Sequence, residues 1–188
     1  MLEKINKIFY KFDKWFYHLG LVLIGIAYVK IFNFWAIFYL ILGTFLISFG
    51  HSLDDKKRIA IIYWTVILFL CIFLSLNQVL IILLLNALFF LYSKIQYYPI
   101  SAFYKGFGWG LLFLIPIGSL SLWYFPISLT ASVSEIFHEA HHFDDDKRDG
   151  RKTTAIWLNF KTTKETRKKV KIITICIGLL LILCLALL

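Results

Sequence analysis

Charge is scarce in this chain. Of its 188 residues only 16% are charged and 60% are hydrophobic, whereas a soluble domain carries about a quarter charged residues and about half apolar ones. Mean hydropathy is +0.78. That shortage argues against a surface wetted all round and points to lipid. Cysteine is scarce too. Cys71, Cys176 and Cys184 each lie in an apolar run without CxxC spacing, which excludes a disulfide framework and a zinc site and leaves small buried hydrophobes. Acidic residues are few, 11 against 20 basic ones, for a net charge of +9. Such a balance is compatible with nucleic acid. In an apolar chain the simpler source is basic loops that set topology and touch anionic headgroups, so no nucleic acid partner is expected. No cleavable signal peptide is expected, because Lys4, Lys7, Lys11 and Lys14 precede an apolar stretch that continues as a spanning pattern. No repeat of solenoid type is present.

What the chain does contain is long apolar runs. A helical span needs about 20 predominantly apolar residues, with about 17 as a lower limit. The runs Tyr17–Phe32, Phe34–Gly50, Ile59–Leu76, Val79–Ser93, Phe107–Tyr124, Ile127–His142 and Val170–Leu188 are the candidates, the first two separated by a tight turn near Asn33. Alternating them with the N-terminus inside puts 19 of the 20 basic residues on one face, with Lys30 alone opposite. This is the positive-inside pattern. The expectation is all-α: a polytopic transmembrane helical bundle of about seven spans, one domain over residues 1–188. It is integral and multi-pass in membrane lipid, its N-terminus cytoplasmic and its loops 51–58 and 138–169 on the cytoplasmic side.

Two polar clusters interrupt the apolar pattern, both at inner span ends. The first is His51-Ser-Leu-Asp54-Asp55-Lys56-Lys57-Arg58, after span two. The second runs from Glu135 through His138, Glu139, His141, His142 and Asp144–Asp146 to Lys152, after span six. On a helix advancing about 100° per residue, Glu135, His138, Glu139, His142 and Asp146 share one stripe. Ionisable groups on a membrane helix usually face the bundle interior or a water-filled cavity. A solvated helix end explains Asp144, Asp145 and Asp149 equally well. Carboxylates suit Mg2+ that also holds substrate phosphates, whereas imidazoles shift preference toward Zn or Fe.

The stretch from His138 to Leu158, with Asp146-Lys-Arg-Asp-Gly150-Arg-Lys-Thr153, resembles the second motif of the UbiA-type intramembrane prenyltransferases. The His51–Arg58 cluster stands where that family has its first acidic motif. The Leu91-Tyr92-Ser93 end of span four and the entry Gly106-Phe-Gly108-Trp-Gly110 into span five are similar as well. By position, His51 replaces the leading Asn of the first motif, Asp55 keeps its second Asp, and Ile59 stands at the third. In the second motif His138 replaces Asn, Glu139 and His142 replace the first two aspartates, and Asp146 is kept. The family usually has nine spans, against seven here. The resemblance implies Mg2+-dependent transfer of a prenyl group from an isoprenoid diphosphate to a lipid-soluble or aromatic acceptor. It implies Asp55 and Asp146 as the retained catalytic carboxylates. It also implies a metal set of His51, Asp55, His138, Glu139, His142 and Asp146, with Arg58, Arg151 and Lys152 on the diphosphate. Tyr39, Trp64, Tyr92 and Trp109 are available as aromatic walls for an allylic cation. A homo-oligomer is one way to supply the two further helices.

Two other readings compete. Glu135-x-x-His138 and Glu139-x-x-His142 have the spacing of di-iron carboxylate bundles, which suggests a transition-metal enzyme acting on lipid, with Zn or Fe. The chain has five histidines, too few for the several histidine boxes of membrane desaturases. The third reading is a non-catalytic membrane protein that keeps the scaffold.

Overall fold

The computed structural model describes residues 18–52 and 57–163 and six further positions up to Cys176, the side chains of 52, 57, 58, 93 and 94 excepted. Regular structure among the described residues is entirely helical. In chain order the helices are α1 (His18–Tyr28), α2 (Phe34–Ser52), α3 (Lys57–Cys71), α4 (Leu76–Ile95), α5 (Ser101–Ile117) and α6 (Tyr124–His141), then the short α7 (Phe143–Arg148) and α8 (Thr154–Trp157). Of these, α2, over Phe34–His51, is the one long and apolar enough to cross a membrane by length and composition. Most of the expected seventh span, Val170–Leu188, lies outside the described residues, as do Asp54 and Asp55.

The helix ends have local causes. Lys30 sits in the left-handed region at φ 55°, so Ile31 N donates to Ile26 O (3.1 Å) and Lys30 N to Ala27 O (3.1 Å). This paired closure stops α1 at Tyr28, short of the expected Phe32. The turn expected near Asn33 is present: Asn33 Oδ1 accepts from Trp35 N at 3.0 Å and opens α2. The same paired closure recurs at Gly150, φ 71°, where Arg151 N donates to Asp146 O and Gly150 N to Lys147 O. Glycine meets that conformation without a Cβ penalty. The motif glycine is therefore the stop signal of α7.

Packing sets an up-and-down bundle. At one end, called outer here, Gln78 of α4 donates from Nε2 to Tyr39 Oη of α2 (2.8 Å) and to Ile115 O of α5 (2.8 Å), while its Oε1 accepts from Ser75 N (3.0 Å). Gln78 so satisfies a carbonyl that the end of α5 leaves without an intrahelical partner. At mid-bundle, Leu42, Leu46, Ile47, Ile67, Ile82, Leu85, Leu112 and Phe113 are completely buried. Helices α5 and α6 cross most closely. A Cβ added at Gly106 would collide with the Ser132 backbone, and one at Gly110 with the Ser128 hydroxyl. Small residues four apart on both helices permit this approach, as they do between membrane helices.

Large apolar side chains line the outside as well as the core, and several polar side chains are buried. Ile61 (65% exposed), Ile72 (74%), Phe90 (60%) and Leu122 (86%) point outward, whereas His18, Gln78, Asn86, Glu135 and Glu139 are buried.

Candidate functional site

The inner end collects polar side chains from five helices. Lys105, one turn into α5, reaches Glu135 of α6, with Nζ 3.0 Å from Oε2; the two side chains are 20% and 8% exposed. The same ammonium stands 4.6 Å from the ring centre of Tyr92 on α4. On the other side of Glu135, Oε1 lies 3.8 Å from His18 Nε2 of α1. The His18 ring lies against the Trp109 indole of α5, centroids 3.7 Å apart, and His51 of α2 comes within 5.7 Å of His18 and 5.5 Å of Trp109. Trp109 is buried and its Nε1 has no hydrogen-bond partner among the described residues. An indole N–H left so is an unmet donor, which costs free energy until something accepts from it.

Glu139, one turn beyond Glu135, has a different environment. Its Oε1 accepts from Ser101 Oγ at 2.6 Å, and its Oε2 accepts from Ala155 N at 3.3 Å. Ser101 Oγ in turn accepts from Thr154 N (3.1 Å), and Thr154 Oγ1 accepts from Ala102 N (3.0 Å). The carboxylate thus ties together the start of α5, the end of α6 and the start of α8. Ser101, Glu139, Thr154 and Ala155 are all buried.

The helix that carries the expected polar stripe breaks at His142 (φ −96°, ψ 13°), yet Glu135, Glu139 and Asp146 are all buried and all lie within electrostatic reach of Lys105. Ala140 O accepts from Thr162 N at 3.2 Å, the bond that a continuous helix would give to Asp144 N. Restarting at Phe143 also places Asp144, Asp145 and Asp146 in a fresh first turn, where carboxylates are favourable. His138 and His142 remain neighbours, ring centroids 5.0 Å apart, as do His141 and His142 at 5.0 Å. Asp146 is buried and pairs with Arg151 Nη1 at 3.1 Å. Burial pushes its carboxyl above the ordinary value, with Arg151 pulling the other way. Arg151 is also 3.8 Å from Asp149, and Lys152 is exposed. Asp55 and the Arg58 side chain lie outside the described residues.

The structure therefore brings His51 toward α1 and α5, and separates Glu139 and Asp146 into two local jobs. Sequence reasoning left His18 and Lys105 out of the site and named Trp109 only as one of four candidate aromatic walls. Lys105 was legible only as a topological charge, and nothing local marks its pairing with a residue thirty positions on. Among the described residues no three His, Cys, Asp or Glu side chains are placed to share a metal ion. Glu135, Glu139 and Asp146 already hold Lys105, Ser101 with Ala155, and Arg151. As arranged, these three described carboxylates do not converge on a Mg2+ site. Of the aromatic candidates, Tyr39 is engaged by Gln78, Trp64 stacks on Phe49 and Tyr92 lies under Lys105, which leaves Trp109 at the cluster's centre. Comparison with protein-family models, with curated proteins and with solved structures finds no match.

Proposed function

We propose that the chain is a multi-pass membrane protein of UbiA-like plan, its N-terminus cytoplasmic. In this reading it binds an isoprenoid diphosphate at the inner end of its bundle and transfers the prenyl group to a lipid-soluble or aromatic acceptor. The observation that carries the reading is the set of apolar outward faces around a bundle that buries several ionisable groups. Outward faces of α2, α3, α4 and α6 expose Ile37, Ile61, Phe69, Leu84, Leu129 and Val133, while ionisable groups lie inside. Apolar surface on that scale is a site of lipid contact or association. Ionisable side chains inside such a bundle mark a substrate or ion path.

An amphiphile with an anionic head and a hydrocarbon tail matches this division. Lys105 and the open Trp109 N–H are the donors for the head. Transfer breaks the allylic C1–O bond, forms the bond from C1 to the acceptor, and releases diphosphate and the acceptor's proton. Charge develops on the departing diphosphate, and fixed donors at that place lower the barrier.

The test is thermal shift of the detergent-solubilised protein with farnesyl diphosphate, farnesol and inorganic diphosphate. Farnesyl diphosphate is expected to raise the melting point with the logarithm of its concentration. Trp109→Phe, which removes one N–H, weakens that shift. Equal shifts from farnesol and farnesyl diphosphate, or none from either in a protein that melts cooperatively, would sink the reading. A second reading, a scaffold that binds without transferring, is favoured by the engagement of Glu139 and Asp146. Labelled farnesyl diphosphate bound but never transferred to any extractable membrane lipid would select it.

A further inference from the structure

The most specific departure from the implied chemistry lies at Glu139. A carboxylate acting as a metal ligand keeps lone pairs directed at the ion, with a gap where the ion sits. Here one oxygen takes the Ser101 hydroxyl at 2.6 Å and the other takes the Ala155 amide at 3.3 Å. The residue is 3% exposed, and Ser101 and Ala155 are both 0% exposed, so the carboxylate is enclosed by the groups that donate to it. The tie is reinforced by Ser101 with Thr154, by Thr154 with the Ala102 amide, by Thr162 N on Ala140 O, and by Phe160 packed edge-on to Phe137 at 5.1 Å. The segment so held begins immediately after Arg151 and Lys152.

We infer that Glu139 is a positioning residue: it clamps the α8 segment onto the inner ends of α5 and α6, so that an anionic headgroup there is met by fixed side-chain cations rather than by a divalent ion bound at α6. The inference rests on the isoprenoid diphosphate reading for its ligand, but the clamp stands on geometry alone. Its chemistry is economical. Ser101 donates its only proton to Glu139 and accepts from Thr154 N, so the hydroxyl is oriented by the carboxylate. Removing the carboxylate leaves the Ala155 amide without its acceptor in a buried place and the Ser101 proton with only the longer 3.4 Å contact to Thr154 Oγ1, and α8 then loses its hold on the bundle.

Two variants separate clamp from ligand. Glu139→Gln keeps an acceptor oxygen and the side-chain shape but is a much poorer divalent-ion ligand. Glu139→Ala removes both contacts. Each is measured by thermal shift with farnesyl diphosphate, once in Mg2+ and once in EDTA, and by limited trypsin digestion without ligand, which reads cleavage after Lys147, Arg148, Arg151, Lys152 and Lys161. The expected result is a wild-type shift that is the same within twofold in apparent affinity in Mg2+ and EDTA. Glu139→Gln retains the shift and the protection, while Glu139→Ala loses at least tenfold in affinity and is cut at least tenfold faster in the segment. Should Glu139→Ala not accumulate, Ser101→Ala removes one donor and one acceptor of the same tie and is expected to show faster cleavage with a smaller effect. A shift that requires Mg2+ and vanishes in Glu139→Gln overturns the inference and leaves the substrate reading intact. No shift in either condition overturns the substrate reading and the ion-free headgroup contact together, and the digestion then decides the clamp: cleavage unchanged in Glu139→Ala or Ser101→Ala refutes it.

Discussion

Substituting Lys105 by Met tests whether the inner cluster is a coupled unit. The perturbation keeps most of the side-chain length and removes the ammonium. Nζ lies 3.0 Å from Glu135 Oε2, and at an effective dielectric of about 20 the Coulomb attraction over that distance is roughly 5 kcal/mol, before desolvation is subtracted. Because Glu135 is 8% exposed, removing its partner leaves a buried carboxylate with its ammonium gone and the His18 imidazole at 3.8 Å. Breaking a buried pair from one side costs about 3–5 kcal/mol, whereas replacing both partners by neutral groups of similar volume is often close to neutral. The expected pattern is therefore non-additive. Lys105→Met loses about 3–5 kcal/mol, and adding Glu135→Gln restores at least half of the loss. The assay is unfolding in mixed micelles by SDS titration, followed by tryptophan fluorescence, across the four proteins of a double-mutant cycle. If the double variant is no more stable than Lys105→Met alone, the pair is not coupled and the cluster is a set of independent interface charges.

At the outer end, Gln78→Leu is expected to cost about 1–2 kcal/mol, since it strips Ile115 O and Tyr39 Oη of their donor; Tyr39→Phe costs less, and the same SDS titration measures both. Gly106→Val drives a branched side chain into the Ser132 backbone; overpacking there costs about 3 kcal/mol or more, and a cysteine pair across α5 and α6 that cross-links in the parent and still cross-links in the variant would refute the close approach. Asp146 supplies a pH test. Its folded carboxyl lies above its unfolded value, so its contribution is fully present below the unfolded pKa, near 3.9, and is lost as pH rises through the folded pKa. Asp146→Asn removes that loss, so its stability relative to the parent rises from pH 3.5 to pH 6; a flat difference over that window contradicts the assignment. For orientation, cysteines at Lys30 and Lys152 are expected to react with impermeant maleimide from opposite sides of sealed vesicles, and labelling from one side alone would overturn the alternating arrangement.

The helical character, the turn at Asn33 and the outward apolar faces were legible because each follows from local composition: run length, an Asx side chain at a helix start, and apolar residues at every register. Helix ends were less so. The stop at Lys30 uses a left-handed residue that is not glycine, which no propensity announces. The break at His142 depends on Thr162 taking a carbonyl twenty-two residues earlier, a competition visible only once the chain has folded back. The polar stripe from Glu135 to Asp146 assumed an unbroken helix, and so grouped Glu139 with His142 and Asp146 although their partners differ. The small-residue signal was available: Gly106 and Gly110 are four apart, as are Ser128 and Ser132, yet spacing alone does not say which helix meets which.

Lys105, Glu135 and His18 form one cluster. A carboxylate in an apolar bundle is tolerated only with a partner, and the partner decides its role more than its place in a motif does. Glu135, outside the pattern of the resemblance, faces the Lys105 ammonium and the His18 imidazole, whose ring lies against Trp109. Glu139, inside the pattern, is held by one hydroxyl and one backbone donor. The length of the Glu139 side chain lets its carboxylate reach both Ser101 and Ala155. Glu139→Asp is then expected to lose one of the two contacts and to weaken the clamp, which runs opposite to the expectation for a metal site, where the shorter acid remains a ligand. Trypsin digestion of Glu139→Asp against the parent distinguishes the two: faster cleavage between Lys147 and Lys161 follows from the clamp, and unchanged cleavage with newly acquired Mg2+ dependence of farnesyl diphosphate binding follows from a ligand.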